Sequence, residues 1–233
     1  MTDAIMSARQ AVLNTCRSLV EKGYLVGTGG NVSMRVADEA TGESVVAITP
    51  SSRDYRTLSP EDICVVDLSG QVRAGTSAPS VETTAHLAVY ARRPDVNAVI
   101  HTHQPYASTF TLIGRSIPAL FDEQVANLGP EVKLVGYGIS GSQEMTDQIV
   151  GGLENQCNAY LIQNHGVLCL GTTLAQTALN VELLEKVARV YYYALGTGQE
   201  ISPLPAESTQ VLFEMLKSEQ RQEVRRKRKS QRA

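Results

Sequence analysis

The stretch Val96-Asn97-Ala98-Val99-Ile100-His101-Thr102-His103 constrains the fold most. A short apolar run of this kind reads as a buried strand. Successive side chains of a strand point to opposite faces, so His101 and His103 share one face about 7 Å apart along the chain while Thr102 points away. Two imidazoles at that spacing can reach one metal ion. A second apolar run, AYLIQ, ends in Asn164-His165-Gly166 and brings a third imidazole if the two strand ends meet. Three histidines, with a fourth position open to a carboxylate, water or substrate, form the ligand set of a catalytic rather than a structural zinc site. The chain has four histidines, and three of them fall in these two motifs. The competing reading is a pair of hydrogen-bonded core histidines.

A chain of 233 residues fits one domain, or one domain with an appendage, and can bury a substantial core. Its 42% hydrophobic and 19% charged residues are ordinary for a soluble globular protein and exclude disorder for most of the length. A formal net charge of -3 gives no overall basic field for nucleic acid, so a nucleic-acid function is not expected. The local exception is Arg225-Arg226-Lys227-Arg228-Lys229 beside Arg232, which reads as a solvated or frayed tail. Cys16, Cys64, Cys157 and Cys169 are far apart and form no CxxC motif. With an N-terminus that lacks a basic region followed by an apolar stretch, they predict reduced buried thiols in a cytoplasmic protein. No apolar segment is long enough to span a bilayer.

Taken in order, Asp3 to Lys22 reads as an amphipathic helix ending at Gly23. Gly27-Thr28-Gly29-Gly30-Asn31 then opens a strand, VSMRV. A glycine loop of this kind can turn backbone N-H groups toward an anion, and Gly30 permits close approach of a phosphate. A dinucleotide fingerprint is excluded by context, because that motif follows a strand and opens a helix. VVAIT is a second strand, and the hydroxyl-rich turn after it offers Ser51 and Ser52 as further phosphate contacts. A hairpin around Ser69-Gly70 precedes a helix entered at Pro79-Ser80, with Glu82 in its first turn. That helix leads directly into the strand bearing His101 and His103. A helix from Pro105, a break at Arg115-Ser116-Ile117-Pro118, two adjacent carboxylates at Asp122 and Glu123 and a strand at VKLVGY follow. Next come a loop and cap at Ser140-Gly141-Ser142, a helix, the strand pair around His165, a long helix from Leu174 to Leu195 and a charged C-terminal helix after Pro205. Hairpins mixed with helices favour a layered α/β or α+β domain over a pure parallel sheet.

The segments GTGGNVS, ITPSS, PSVETTAHLAVY, VIHTHQPYAS and QNHGVLCLG stand in the order and at roughly the spacing of the class II aldolase/adducin family, which the chain resembles from about Asp3 to Leu204. The resemblance implies a single three-layer α/β/α domain with a central, largely antiparallel sheet over residues 1–205, followed by a C-terminal helix and basic tail over 206–233. It implies a homotetramer of C4 type with active sites at subunit interfaces, each holding zinc or another divalent metal such as cobalt or manganese. Under it His101, His103 and His165 are the metal ligands, and Glu82 is the acid/base that also ligates the empty metal. Thr28, Gly30, Asn31, Ser51, Ser52 and Ser80 hold the substrate phosphate, and His86 is structural.

The activity implied is retro-aldol cleavage of a ketose 1-phosphate, of the fuculose 1-phosphate or 5-deoxyribulose 1-phosphate type, to dihydroxyacetone phosphate and an aldehyde. Cleavage beside a ketone leaves an enediolate, whose charge a divalent cation stabilises. The family's epimerases carry aspartate where this chain has Glu82, which favours the aldolase branch, although the dehydratase branch shares the glutamate. Two departures bear on the substrate. Asp122, followed by Glu123, stands where the family's fuculose-phosphate aldolases have an active-site tyrosine, and no tyrosine follows Pro205. Asp122 or Glu123 is therefore expected to supply the proton on the leaving oxygen across the interface. The alternatives are an epimerase or dehydratase on the same site, a non-catalytic adducin-like binding module, and a generic zinc hydrolase, which leaves the glycine loop without a purpose.

Overall fold

The structure, a computed structural model, describes residues 2–230. Sixteen elements follow one another as α1 (Asp3–Glu21), β1 (Asn31–Ala37), β2 (Ser44–Ile48), β3 (Cys64–Asp67), β4 (Val72–Ala74), α2 (Thr83–Arg92), β5 (Ala98–Thr102), α3 (Pro105–Leu112), β6 (Ile117–Pro118), α4 (Asp122–Asn127), β7 (Glu131–Val135), α5 (Gln143–Gly152), β8 (Ala159–Ile162), β9 (Gly166–Gly171), α6 (Leu174–Gly196) and α7 (Ala206–Ser230). The strands form one sheet in the order β4-β3-β2-β1-β5-β9-β8-β7-β6. Every pairing is antiparallel except β7 with β8.

Period-two alternation divides the interior into two cores, one on each face of the sheet. Val32, Ala98, Ile100, Leu161 and Val167 pack with Val12 and Leu13 of α1, Phe110 of α3 and Leu184 of α6. Their neighbours Val99, Tyr160, Ile162 and Leu168 pack on the opposite face with Val89 of α2 and Ile149 of α5. Strands buried on both faces read as near-continuous apolar runs, which is why VNAVI and AYLI carry so little polarity. The result is the three-layer α/β/α architecture with a mostly antiparallel central sheet. His101 has the parity of Val99, so it points toward the α2 layer.

Three local readings are corrected. Asp122 and Glu123, given no secondary structure by the sequence pattern, open the six-residue helix α4, where acidic residues complement the partial positive charge of the N-terminus. Ile117-Pro118, read as a break, is a two-residue strand on β7. The run Arg225–Lys229 is not a frayed tail: it lies on α7. That helix is fastened through buried Leu216 and Gln220, through Glu223, which accepts a hydrogen bond from Asn97 Nδ2 at 2.8 Å, and through Lys227, whose Nζ donates to the carbonyls of Pro94 and Val96. Arg232 lies outside the described residues. Among the described residues no helix is long and apolar enough to cross a membrane.

Candidate active site

Strand β5 lies between β1 and β9, in a register that sets Asn31 opposite His101 and Thr102 opposite Val167. The end of β5 is thereby brought to the turn between β8 and β9, where Asn164, in the left-handed region at φ 53°, reverses the chain just before His165. His101 Nδ1 lies 2.9 Å from the carbonyl oxygen of Val167. A carbonyl only accepts, so Nδ1 carries the proton and Nε2 keeps its lone pair free. His103 continues past the strand, its backbone N-H donating to the Tyr24 carbonyl at 3.1 Å.

The three imidazoles converge. Nε2 of His101 and Nε2 of His103 are 2.9 Å apart, ring centroids lie 4.7 to 5.3 Å from one another, and one ligand atom from each ring lies within 4.8 Å of the others. Glu82 caps the N-terminus of α2 and faces them, with Oε2 3.5 Å from His101 Nε2 and Oε1 3.4 Å from His165 Nε2. Each oxygen is also held by a hydrogen bond: Asn31 Nδ2 donates to Oε2 at 2.9 Å and Ser140 Oγ to Oε1 at 2.6 Å. Two glycines let the backbone close on the cluster. A Cβ on Gly29 would sit 2.9 Å from His103 Nδ1. One on Gly166 would sit 2.6 Å from the Thr102 carbonyl oxygen and 3.0 Å from His101 Cε1.

Burial pushes His101 down to about 4 despite the facing carboxylate, and pushes His103 down in the same direction. Both rings are therefore neutral at pH 7, the form that ligates metal. Burial opposes a charge on Glu82, but the facing imidazoles, once protonated in acid, and the hydrogen bonds from Asn31 and Ser140 outweigh it and hold the carboxyl below the usual carboxylate range.

Three converging imidazoles and one held carboxylate are a donor set suited to zinc and neighbouring divalent ions. Zinc-nitrogen bonds of about 2.0–2.1 Å in a tetrahedron separate the nitrogens by about 3.3 Å. The 2.9 Å between His101 and His103 would have to widen by a few tenths of an ångström of ring movement to hold such an ion.

Of the other residues singled out in the sequence, Gly30 sits in the left-handed region at φ 75°, where a Cβ would lie 2.6 Å from the His101 carbonyl oxygen. Asn31 turns its amide to Glu82. An antiparallel bridge between Pro50 and Pro79 joins the Ser51-Ser52 turn to Ser80, with Ser51 N donating to Ala78 O and Ser80 N to Thr49 O. Ser80 Oγ accepts from the Glu82 N-H at 3.3 Å, linking the hydroxyl turn to the carboxylate. Thr28 is exposed on the glycine loop. Asp122 and Glu123 make no contact with the histidine cluster, and Glu123 is paired with Lys186 of α6. His86 lies one turn along α2, its Nδ1 2.7 Å from Ser33 Oγ, which is 2.7 Å from Tyr90 OH, in a buried chain outside the cluster. Ser140 is the partner that the sequence reading missed. It was visible only as part of a turn, and nothing in that turn announces a carboxylate 58 residues away.

Residues 10–192 match the family model described as "Class II Aldolase and Adducin N-terminal domain". The chain belongs to this family. Class II aldolases are lyases, and this one is 31% identical over 195 residues to the 5-deoxy-D-ribulose 1-phosphate aldolase of Bacillus thuringiensis serovar kurstaki, covering 84% of this chain and 89% of the relative. It is 30% identical over 211 residues to the L-fuculose phosphate aldolase of Escherichia coli K12, covering 91% and 94%. Among solved structures, an L-fuculose 1-phosphate aldolase superposes with a TM-score of 0.82 at 32% identity, over 91% of this chain and 96% of the other. As a class II aldolase the chain is placed in a metal-dependent family, and its three histidines are the residues that could bind the ion.

Proposed function

We propose that this class II aldolase cleaves a ketose 1-phosphate, of the fuculose 1-phosphate or 5-deoxyribulose 1-phosphate type, to dihydroxyacetone phosphate and an aldehyde. The observation that carries the reading is the Glu82 carboxylate, held by Asn31 and Ser140 while each of its oxygens faces one of the clustered imidazoles. The substrates named for the similar enzymes support it.

His101, His103 and His165 would hold a divalent ion such as zinc, cobalt or manganese, which would supply Lewis-acid stabilisation of the negative charge that carbon-carbon cleavage leaves behind. Glu82 would ligate the ion when substrate is absent, and it moves the proton at the carbon that becomes nucleophilic; its two hydrogen bonds fix its direction and favour its charged form. Gly30 with Thr28, Asn31, Ser51, Ser52 and Ser80 forms the phosphate cradle beside that carboxylate, so binding energy from a group that does not react keeps the reacting carbons in register. In cleavage, the hydroxyl on the carbon that becomes the aldehyde gives up its proton to Asp122 or Glu123 of an adjacent copy in a homotetramer, and the same group returns that proton in the reverse, carbon-carbon bond-forming direction. Glu123 is engaged by Lys186, which favours Asp122. Four free, buried cysteines support a cytoplasmic setting, and the division into a catalytic part over 1–205 and a C-terminal helix and tail over 206–233 belongs to the same proposal.

The test is release of dihydroxyacetone phosphate from both ketose 1-phosphates by wild type and Glu82→Gln. Release by wild type that falls by about a hundredfold or more in the variant is expected for loss of an acid/base group. Consumption of substrate without dihydroxyacetone phosphate, through inversion or loss of water, would move the activity to epimerase or dehydratase.

A further inference from the structure

At the end of α2 remote from Glu82, the loop from α2 to β5 and α7 enclose a groove of about 400 Å³. One wall is the C-terminus of α2 with Arg92 and Arg93. The other is a stripe along α7 formed by Lys217, Arg221, Arg225 and Arg228. Spacings of four, four and three residues set these side chains on one face of a helix, over about 16 Å of axis. The stripe is aimed by the helix's own fastening: Leu216, Gln220, Glu223 and Lys227 form the adjoining face that is tied to the body.

The charge in this groove is not balanced by the protein. Asp95, the acidic residue in its lining, is committed to Arg93, with Nε to Oδ1 at 2.9 Å and Nη2 to Oδ2 at 2.8 Å. Arg93 is further anchored by the Cys157 carbonyl and Asn158, so it forms a fixed floor. Glu214 neutralises Lys217 and lies 3.7 Å from Arg221. Arg92, Arg225 and Arg228 have no ion pair or side-chain hydrogen bond among the described residues. Proximity to helix C-termini accounts for some basic residues here, but not for two helices directing their cations into one concavity, where like charges repel.

We infer that this groove is a binding site for a compact oligophosphate, a ligand carrying two or three linked phosphate groups. Guanidinium forks match phosphate oxygens in pairs, and the volume is that of a small-molecule site. No aromatic side chain lines it, so it offers no platform for stacking a nucleobase. The phosphates themselves are recognised, and an inorganic tripolyphosphate and a nucleoside triphosphate bind alike. Glu82 and the groove lie at opposite ends of α2, about 15 Å apart along the helix, so the site is separate from the proposed sugar-phosphate cradle.

The experiment is calorimetric titration of the full chain with tripolyphosphate, adenosine triphosphate, orthophosphate and a short DNA duplex, at about 0.15 M salt. Two variants of equal charge loss are compared, Arg225→Gln/Arg228→Gln on the groove face and Arg226→Gln/Lys229→Gln beside it. Expected are saturable binding of tripolyphosphate and adenosine triphosphate at one site per chain, weaker orthophosphate binding, and a loss of roughly tenfold or more in the groove variant only. Absence of saturable binding, equal loss in both variants, or preference for the duplex over tripolyphosphate would each overturn the inference. Circular dichroism of both variants establishes that α7 remains folded.

Discussion

Replacing Gly166 by alanine tests whether the histidine cluster is as tightly built as its distances indicate. The residue is outside the left-handed region, so its backbone suits alanine and the effect is purely steric. The new Cβ would lie 2.6 Å from the Thr102 carbonyl oxygen, about 0.7 Å inside the usual carbon-oxygen contact of about 3.3 Å. It would also lie 3.0 Å from His101 Cε1 and closer still to Cδ2 of His103. Thr102 is held in the β5–β9 register, so the two rings must yield. Overpacking of this kind costs about 1–3 kcal/mol, a fall of roughly 2–12 °C in Tm for a chain of this size. Ligands must be held to within about 0.5 Å, so affinity for zinc is expected to drop by roughly tenfold or more. Competition against a chromophoric chelator measures the affinity, and thermal melting the stability. Gly151→Ala is the matched control: nothing lies within 4 Å of its Cβ, and it sits inside α5. It should leave zinc affinity unchanged and gain about 0.5–1 kcal/mol of stability. If Gly166→Ala binds zinc as tightly as wild type, the rings are not positioned by this packing and the reasoning fails.

Ser140→Ala removes a charge-assisted hydrogen bond of about 1.5–3 kcal/mol from Glu82. At this exposed loop position kcat/KM for dihydroxyacetone phosphate release should fall by roughly tenfold or more with Tm nearly unchanged, and an unaltered kcat/KM would remove Ser140 from the site. Acid should destabilise the metal-free protein, because burial pushes His86 down to about 3 against an unfolded value of about 6.5. The unfolded chain then binds the extra proton between these values, so stability is lost as pH falls below about 6.5. His86 alone accounts for about 2 kcal/mol at pH 5, and His101 acts in the same direction. Urea unfolding at pH 7 and pH 5 reads this difference directly. Asp95→Asn strands the buried Arg93 and should cost about 3–5 kcal/mol; a loss under 1 kcal/mol in the same unfolding measurement would show that Asn158 and the Cys157 carbonyl suffice.

Much of the site was legible because it rests on the shortest-range rules. The two-residue period of a strand predicts that His101 and His103 share a face, and the short Gln163-Asn164 turn delivers His165 to the same edge once β9 pairs with β5. Glu82 was legible as a helix-start residue leading into that strand, one position before the helix proper. The glycine-rich neighbourhood of Asn31 points to a phosphate contact; it does not disclose that pairing of β1 with β5 also sets Asn31 beside His101 and turns its amide to Glu82. That register is a tertiary fact which no local pattern carries. Ser140 was invisible for the same reason. The helix α4 is too short for periodicity to declare it. The basic run is solvated as its charge implies, with Arg225, Arg226, Arg228 and Lys229 exposed; that it continues a docked helix is not legible, because the residues that fasten α7, Leu216, Gln220, Glu223 and Lys227, are mostly polar.

The central claim is that the cluster of His101, His103 and His165 beside Glu82 runs a metal-dependent retro-aldol reaction. It is tested most directly by stripping the protein with chelator, returning zinc in steps, and measuring dihydroxyacetone phosphate release from 5-deoxyribulose 1-phosphate and fuculose 1-phosphate against metal bound per chain. No release is expected from the stripped protein, and recovery should be linear and saturate at one ion per chain. Undiminished release without metal, or no release from either substrate by fully loaded protein, would contradict it.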